Sequence, residues 1–230
     1  MSADQPCRVW WAAPVDPDTA PALVALLDDL EQDRLHRFRR AADRARYLAA
    51  HALTRIVLGE LLDTPAAMLV FDRTCRCGQQ HGKPVLPAPG SPGFSMSHAG
   101  DLVGLAVSPS GAVGIDVEQV RATTDLAGMA GHVYSPTELT RTSRADAGAF
   151  FTAWTRKEAL LKATGDGLAT PMTTITLGPG GVEAWTGASA PDGPVWLRDL
   201  QPAPGYPAAV AGFGATAPAI VESDGNALLA

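Results

Sequence analysis

Residues 154–162 read Trp-Thr-Arg-Lys-Glu-Ala-Leu-Leu-Lys, and residues 114–118 read Gly-Ile-Asp-Val-Glu. The first stretch has helical spacing, since Trp154, Glu158 and Lys162 are four residues apart and share one helix face. The second stretch has strand spacing, since Asp116 and Glu118 are two residues apart and leave the same face of a strand. Together they predict an α+β fold that carries polar groups on both kinds of element.

The flanking sequence continues this alternation. Helices are predicted over residues 21–30, from Asp43 as N-cap to residue 61, from Ser135 onwards, and over 147–163 with Gly165 as terminator. Strands are predicted over 68–71, 94–98, 102–108, 112–118 and near 173–177, 181–185, 195–200 and 207–213. The turn at 109–111 predicts a hairpin between the strands beside it, and the weakly patterned tail from residue 216 is expected to be partly disordered.

The order of these elements is helix-rich and then strand-rich, twice over. This order indicates an α+β architecture of two similar halves, residues 1–109 and 110–230, each with a small antiparallel sheet and helices. A chain of 230 residues is long enough to bury a core in one large domain or two small ones.

Composition excludes some classes of function. No apolar run approaches the roughly 20 residues of a membrane helix, and the polar start lacks the pattern of a secretory signal. A cytoplasmic protein without membrane attachment is therefore expected. The net charge of −6 argues against broad binding to nucleic acid.

One basic segment opposes the acidic total. Residues 31–46 contain six arginines and three acidic residues. Such a segment is either an anion site or a solvated helix face.

The cysteines near the middle of the chain suggest a second possible site. Cys75, Cys77 and His81 supply three candidate zinc ligands, whereas a closed structural zinc site has four. The alternative is a loop turned by glycine, without a metal.

Lysine is rare in this chain. Arginine supplies almost all the positive charge, and the three lysines are Lys83, Lys157 and Lys162. Lys83 lies in the motif Gly82-Lys83-Pro84, and the other two lie in the 154–162 motif. Because an ammonium is a compact point charge that suits a phosphate oxygen, the three are predicted to meet an anionic ligand. The alternative is a codon bias towards arginine that leaves a few lysines.

The paired carboxylates indicate a metal. Asp116 and Glu118 on one strand face repel each other unless a cation lies between them, and oxygen ligands favour a hard ion such as Mg²⁺. Glu158 can supply a third carboxylate, while Lys162 can balance a bound phosphate. The alternatives are a solvated strand edge and a surface Glu–Lys pair.

Ser97 and His98 are adjacent, which invites comparison with a nucleophile and its base. Neighbours on a strand face opposite ways, so this pair does not form a serine triad. His98 is predicted to contact a phosphate or ribose, with a structural histidine as the alternative.

Taken together, the motifs at 82–84, 94–98 (Phe-Ser-Met-Ser-His), 114–118 and 154–162 resemble the phosphopantetheinyl transferases of the surfactin-synthetase-activating type. The matching pieces cover the central half of the chain in that family's order. Two departures are Ser95, where family members often have Asn, and the basic segment, where arginines replace the usual lysines.

The resemblance implies a monomer in which two similar α+β halves form a pseudo-dimer, with coenzyme A in the cleft between them. It implies transfer of the 4′-phosphopantetheine arm of coenzyme A to a serine of an apo acyl or peptidyl carrier protein, of the kind used in secondary-metabolite biosynthesis. Adenosine 3′,5′-bisphosphate is released.

The resemblance also implies roles for individual residues. Asp116, Glu118 and Glu158 hold Mg²⁺, and Asp116, Glu158 and Lys162 are catalytic, with Lys162 on the pyrophosphate. Coenzyme A contacts are assigned to Arg34, Arg46, Lys83, Pro84, Ser97, His98, Lys157 and Lys162. The attacking serine belongs to the carrier, so the chain needs a base, and Glu158 is the candidate, directly or through a water.

Two other functions stay open. A metal-dependent phosphohydrolase could use the same carboxylates, although it gives no reason for Gly82-Lys83-Pro84. A catalytically silent homologue could bind coenzyme A or a carrier protein, although such homologues are expected to lose an acidic residue first.

Overall fold

The computed structural model describes residues 5–75, 78–80, 82–121, 125–142, 146–165, 167 and 170–230. The helices are α1 (Pro21–Val24), α2 (Asp29–Arg37), α3 (Ala41–Leu61), α4 (Leu126–Val133), α5 (Pro136–Leu139) and α6 (Ala147–Thr164). The strands are β1 (Cys7–Ala12), β2 (Gly93–Ala99), β3 (Leu102–Ser108), β4 (Val113–Val117), β5 (Ile175–Gly178), β6 (Gly181–Trp185), β7 (Val195–Ala203), β8 (Tyr206–Phe213) and β9 (Ile220–Asp224).

The first sheet has the strand order β2-β3-β1-β9. β1 pairs antiparallel with β3 and parallel with β9. The apolar stripe of α3 packs on this sheet, so that Leu48, Leu53 and Leu58 are buried in one cluster with Val103 and Leu105 of β3.

The second sheet has the order β4-β8-β7 and is covered by α6, while β5 and β6 form a separate hairpin. α6 buries Phe150, Leu160 and Leu161 against Ala209 and Ala211 of β8. Gly114 allows this helix to lie close to β4, because a Cβ at Gly114 would stand 1.9 Å from the carbonyl oxygen of Ala159. The helix that carries Glu158 and Lys162 therefore runs directly over the strand that carries Asp116.

The two sheets meet at β2 and β4. The Oγ of Ser95 accepts a hydrogen bond from the Ile115 amide at 3.2 Å, and the Oγ of Ser97 accepts one from the Val117 amide at 3.3 Å. Where the two sheets meet, serine hydroxyls and not backbone carbonyls thus accept these two hydrogen bonds from β4.

The fold is α+β, as predicted. The halves 1–109 and 110–230, and the internal pseudo-symmetry, stay predictions. One strand crosses the expected boundary, because β9 from the C-terminal part pairs with β1 in the first sheet.

Several elements were predicted correctly from local signals. The side chains of Ser135 and Glu138 form the expected capping box at the start of α5. α6 ends at Gly165, whose φ of 84° is in the left-handed region. The strands expected at 94–98, 102–108, 112–118, 181–185 and 207–213 match β2, β3, β4, β6 and β8.

Other predictions were wrong in their pairing or bounds. The hairpin expected around residues 109–111 does not form, because β3 pairs with β2 across a two-residue turn and β4 pairs with β8. The strand expected at 68–71 is replaced by a short 3-10 turn, Ala66–Met68, where Arg55 donates to the carbonyls of Ala66 and Leu69.

The helix boundaries near the start of the chain also differ from expectation. The helix expected over 21–30 divides into α1 and α2, because Asp28 and Glu31 form a capping box that starts α2. α3 begins at Ala41, so Asp43 lies in its first turn and not at the N-cap. β1 was not predicted, and part of the tail expected to be disordered forms β9.

Within the described residues, no helix combines the length and apolar character needed to cross a membrane.

Candidate active site

Asp116 lies at the centre of the site, on β4 between the two sheets. Its side chain is 4% exposed. The Oδ1 atom accepts hydrogen bonds from Ser97 Oγ at 2.8 Å and from Lys162 Nζ at 2.7 Å. The Oδ2 atom is also buried, yet it has no hydrogen-bond partner among the residues that the structure describes. Buried polar atoms are normally paired, so Oδ2 is a site for a ligand that donates or a cation.

Two more carboxylates, Glu118 and Glu158, share the electrostatic environment of Asp116. Glu158 is a buried residue of α6, and Glu118 is half-buried just beyond the end of β4. Burial and the negative charge of Asp116 raise the pKa of each to about 7, although the charge of Lys162 acts in the opposite direction. The structure therefore places three mutually repelling carboxylates beside one ammonium.

The carboxylates are not arranged as a finished metal site. Within the described part of the chain, no three or more His, Cys, Asp or Glu side chains have an arrangement that could hold a metal ion. They nevertheless fit a hard cation by their chemistry, because the unpartnered Oδ2 of Asp116 and the raised pKa values of Glu118 and Glu158 all indicate too little positive charge nearby.

Lys162 projects from α6 onto the end of β4. Besides Asp116, its Nζ donates to the carbonyl oxygen of Ile115 at 3.1 Å. Its side chain remains 26% exposed, so the ammonium is oriented and still accessible to a ligand.

Basic side chains border this site, on the side of the first sheet. His98 is solvent-accessible, and its pKa is lowered by partial desolvation and by the nearby charges of Lys162, Arg46 and His51. Arg46 is fixed by hydrogen bonds to the Gly100 carbonyl at 2.8 Å and to Asp43 at 2.5 Å. The predicted residues Arg46, His98 and Lys162 thus lie close enough to influence one another, and Arg46 and Lys162 form a positive edge beside the carboxylates.

Lys83 and Arg34 belong to a neighbouring surface. Arg34 donates to the carbonyl oxygen of Gln80, in the loop before Lys83. Lys83 Nζ donates to the carbonyls of Val113 at 2.7 Å and Lys162 at 2.9 Å, and burial and the charge of Lys162 lower its pKa to about 8. Lys83 and Phe94 line a cavity of about 790 Å³ that extends along the end of α6. Pro84 comes next in the chain and is half-buried.

Lys157 does not join the site, contrary to its predicted contact with coenzyme A. Its side chain is fully buried, and its Nζ donates to Glu138 at 2.5 Å and to the Val133 carbonyl at 2.7 Å. Glu138 also accepts from the amides of Ser135 and Leu177. Lys157 therefore connects α6 to α5 and β5 through Glu138, inside the protein.

Lys157→Met should mainly destabilise the protein. Removing one partner of a buried ion pair leaves the other charge unpaired, which costs about 3–5 kcal/mol. We expect a marked fall in melting temperature, with the KM for the anionic substrate unchanged in the folded fraction. Lys162→Met on the same helix is the matched control, because its ammonium is partly exposed, and it should lower kcat with little loss of stability. A raised KM in Lys157→Met at unchanged stability would contradict this assignment.

A second buried ionic cluster was not predicted from the sequence. Glu31 accepts from Arg55 and Arg73, each at 2.6 Å, and from His51 at 2.9 Å. Burial acts to raise the pKa of Glu31, but hydrogen bonding and charge from His51 and Arg55 lower it to about 2. The Asp28–Glu31 capping box was the one local signal for part of this cluster. Two of the candidate zinc ligands, Cys77 and His81, lie outside the described residues.

Comparison with known proteins identifies the class. Residues 11–110 match the model of the 4′-phosphopantetheinyl transferase N-terminal region, and residues 112–210 match that of the 4′-phosphopantetheinyl transferase superfamily. The chain belongs to the 4′-phosphopantetheinyl transferase family and is an enzyme of that family.

Individual relatives agree with this assignment. The 4′-phosphopantetheinyl transferase HetI of Nostoc sp. is 34% identical over 216 residues, which cover 89% of this chain and 87% of that protein. A phosphopantetheinyl transferase of Thraustochytrium sp. is 35% identical over 70% of this chain and 60% of its own length. The 4′-phosphopantetheinyl transferase psf-1 of Bacillus pumilus is 33% identical over 61% of this chain and 58% of its own length. The resemblance seen in the sequence motifs is thus confirmed at the level of the family.

Proposed function

We propose that this chain transfers the 4′-phosphopantetheine group of coenzyme A to a serine hydroxyl of an apo acyl or peptidyl carrier protein in a Mg²⁺-dependent reaction. The observation that carries the proposal is the buried, unpartnered Oδ2 of Asp116 beside Glu118, Glu158 and Lys162. This group offers one site for a cation and one for an anion, as cleavage of a pyrophosphate requires.

Asp116, Glu118 and Glu158 are the residues that would hold the ion. Bound there, Mg²⁺ supplies Lewis acidity towards the pyrophosphate oxygens. Asp116 needs little rearrangement for this role, since Ser97 and Lys162 already fix its Oδ1 and leave Oδ2 free.

Lys162 stabilises charge on the leaving group. When the bond between the phosphopantetheine and the nucleotide breaks, negative charge builds on the departing phosphate, and an ammonium held in advance stabilises that charge. The hydrogen bonds to Asp116 and Ile115 hold Lys162 in place without covering it.

Glu158 is the proposed base for the carrier's serine. Without a bound cation, burial and the charge of Asp116 raise the pKa of Glu158 to about 7, which makes its carboxylate more basic than that of an ordinary glutamate. The serine proton moves to Glu158, directly or through a water, as the hydroxyl oxygen attacks the phosphorus.

The remaining predicted residues bind the nucleotide in this proposal. Arg46 provides positive charge next to Lys162, and His98 lies beside these two cations. Lys83 lines the neighbouring cavity, Arg34 contacts the loop before Lys83, and Pro84 follows Lys83 in the chain. Because one chain supplies both sheets and all of these side chains, the active form is proposed to be a monomer, and sedimentation at micromolar concentration checks this.

Mutation can distinguish the role of Ser97 from that of Ser95. Each hydroxyl accepts from one amide of β4, but Ser97 alone donates to Asp116. We expect Ser97→Ala to raise the Mg²⁺ concentration for half-maximal rate by about tenfold, since groups that orient a metal ligand commonly contribute that much. Ser95→Ala is the control and should lower stability to a similar extent without changing the Mg²⁺ dependence. Equal Mg²⁺ dependence in both variants would contradict the positioning of Asp116 by Ser97.

Release of adenosine 3′,5′-bisphosphate tests the proposed function. We expect its release from coenzyme A to require the chain, Mg²⁺ and an apo carrier together, with one nucleotide released per carrier. Release without any carrier would instead indicate a phosphohydrolase. Binding of coenzyme A with no release under any condition would indicate a catalytically silent protein.

A further inference from the structure

A buried ionic cluster lies away from the carboxylates, where α2, α3 and the chain after Phe71 meet. Arg55 and Arg73 share two acceptors, Asp28 Oδ2 and Glu31, at distances of 2.6–2.9 Å. Arg55 is fully buried and Arg73 is 4% exposed, and both guanidinium groups lie over the Phe71 ring, at 5.1 and 5.4 Å from its centroid. Side chains held in this way have little freedom to move.

The two arginines hold different parts of the chain. Arg55 directs its remaining donors to the carbonyls of Ala66 and Leu69, which belong to the turn after α3. Arg73 starts the loop that ends at Lys83, and its backbone oxygen accepts the Gly82 amide at 2.7 Å. A cluster that fixes Arg73 therefore also fixes the residue immediately before Lys83.

The backbone is closely packed at the base of this loop. A Cβ at Gly82 would stand 3.0 Å from the carbonyl oxygens of both Arg73 and Thr74. The Arg34 side chain also holds the loop through the Gln80 carbonyl.

Lys83 connects this loop to the candidate active site. Its Nζ donates to the Val113 carbonyl at the start of β4 and to the Lys162 carbonyl in the last turn of α6. β4 carries Asp116, and α6 carries Glu158 and Lys162. A continuous set of contacts thus runs from Glu31 through Arg73, Gly82 and Lys83 to the two elements that hold the catalytic groups.

We propose that Arg73, held by Glu31 and Asp28, is a positioning residue that fixes the Gly82–Lys83 segment against β4 and the end of α6. Arg55, which donates to the same two acidic residues, stabilises the packing of α2 and α3 with the turn after α3 and has no such positioning role. The activity part of the proposal rests on the proposed function, whereas the placement of the loop does not.

The test compares Arg73→Met with Arg55→Lys. Both variants should lower the melting temperature. In Arg73→Met alone, we expect hydrogen exchange of the Gly82 amide to accelerate and the KM for coenzyme A to rise roughly tenfold, because small misplacements of a binding group are costly. The KM for the carrier protein should stay unchanged. Arg73→Lys keeps the positive charge on a shorter side chain, so it should show the same changes with smaller magnitude. If Arg73→Met does not fold, Arg73→Lys is the variant that tests the proposal.

The outcomes separate the positioning role from a structural one. The proposal would be overturned if the Arg73 variants lost stability but kept wild-type values of two quantities. These are the hydrogen-exchange rate of the Gly82 amide and the KM for coenzyme A. Equal changes in Arg55→Lys would overturn it too, because they would show a general loosening of the core. Hydrogen exchange needs no turnover, so a failure of the proposed function would appear separately, as absence of transfer in the wild-type protein.

Discussion

Asp116→Asn is expected to lower the kcat of phosphopantetheine transfer by at least about 100-fold while the protein stays folded. Asparagine keeps an oxygen that can accept from Ser97 and Lys162, so the contacts of Oδ1 are largely retained. The charge is lost, and with it the strongest ligand for a cation and the ion pair that orients Lys162. Loss of one electrostatic contact to a reacting centre typically costs 10²–10³ in rate, which sets the size of the expected effect.

A second measurement on Asp116→Asn tests the electrostatics directly. The negative charge of Asp116 helps to raise the pKa of Glu118 and Glu158, so its removal should move both pKa values down from about 7. Titration followed by NMR in the absence of metal measures this shift. Glu60→Gln, an exposed carboxylate on α3, is the control and should change neither rate nor pKa. Wild-type rates for Asp116→Asn at saturating Mg²⁺ would contradict the assignment.

Glu158→Gln should reduce kcat by roughly 100-fold or more and leave coenzyme A binding nearly normal. The amide oxygen can still reach a cation, but the side chain can no longer accept a proton. The size of the fall alone does not distinguish a base from a metal ligand, because both roles predict a slower reaction.

Titration of Mg²⁺ in the Glu158→Gln variant separates these two roles. A residue that only binds the metal is rescued by excess metal, since the remaining ligands become saturated. The base role predicts a low rate that stays flat as Mg²⁺ rises, and this is the result we expect from the raised pKa of Glu158. Recovery to near the wild-type rate would eliminate Glu158 as the base.

The helices could be predicted well where their signals are local. The capping box of Ser135 and Glu138 and the terminator Gly165 lie within a few residues of the helix ends that they define. The pairing of β4 depends instead on β8, which lies far along the chain, so the turn at 109–111 predicted the wrong partner. The parallel pairing of β1 with β9 joins the two ends of the described chain and has no local signal at all.

The carboxylates of the candidate site could be predicted because their spacing is local to one strand and one helix. The role of Lys157 could not, since it depends on Glu138, a residue that α5 brings to the same core. The sequence placed all three lysines at one anion, whereas the structure buries one, leaves Lys162 partly exposed and uses Lys83 to bridge β4 and α6. A motif can thus contain residues that serve different purposes at adjacent positions.

The buried pair of Arg73 and Glu31 shows the same limit. Glu31 lies in a basic helical segment and Arg73 precedes a glycine-rich loop, so neither position suggests an ion pair. They meet because the chain after Phe71 returns to α2, where Arg73 donates to Asp28 and Glu31. The basic segment 31–46 therefore serves several purposes: Glu31 joins a buried cluster, Arg34 contacts a loop and Arg46 lies at the positive edge.

The central claim is that this chain moves phosphopantetheine onto a carrier serine, and the intact mass of the carrier tests it most directly. An apo carrier incubated with the chain, coenzyme A and Mg²⁺ is predicted to gain the mass of one phosphopantetheine group. A carrier with alanine in place of its acceptor serine should gain nothing, and the Asp116→Asn enzyme should leave the native carrier unmodified over the same period. An unchanged mass for every apo carrier tested with the wild-type chain, or equal modification by Asp116→Asn, would contradict the account.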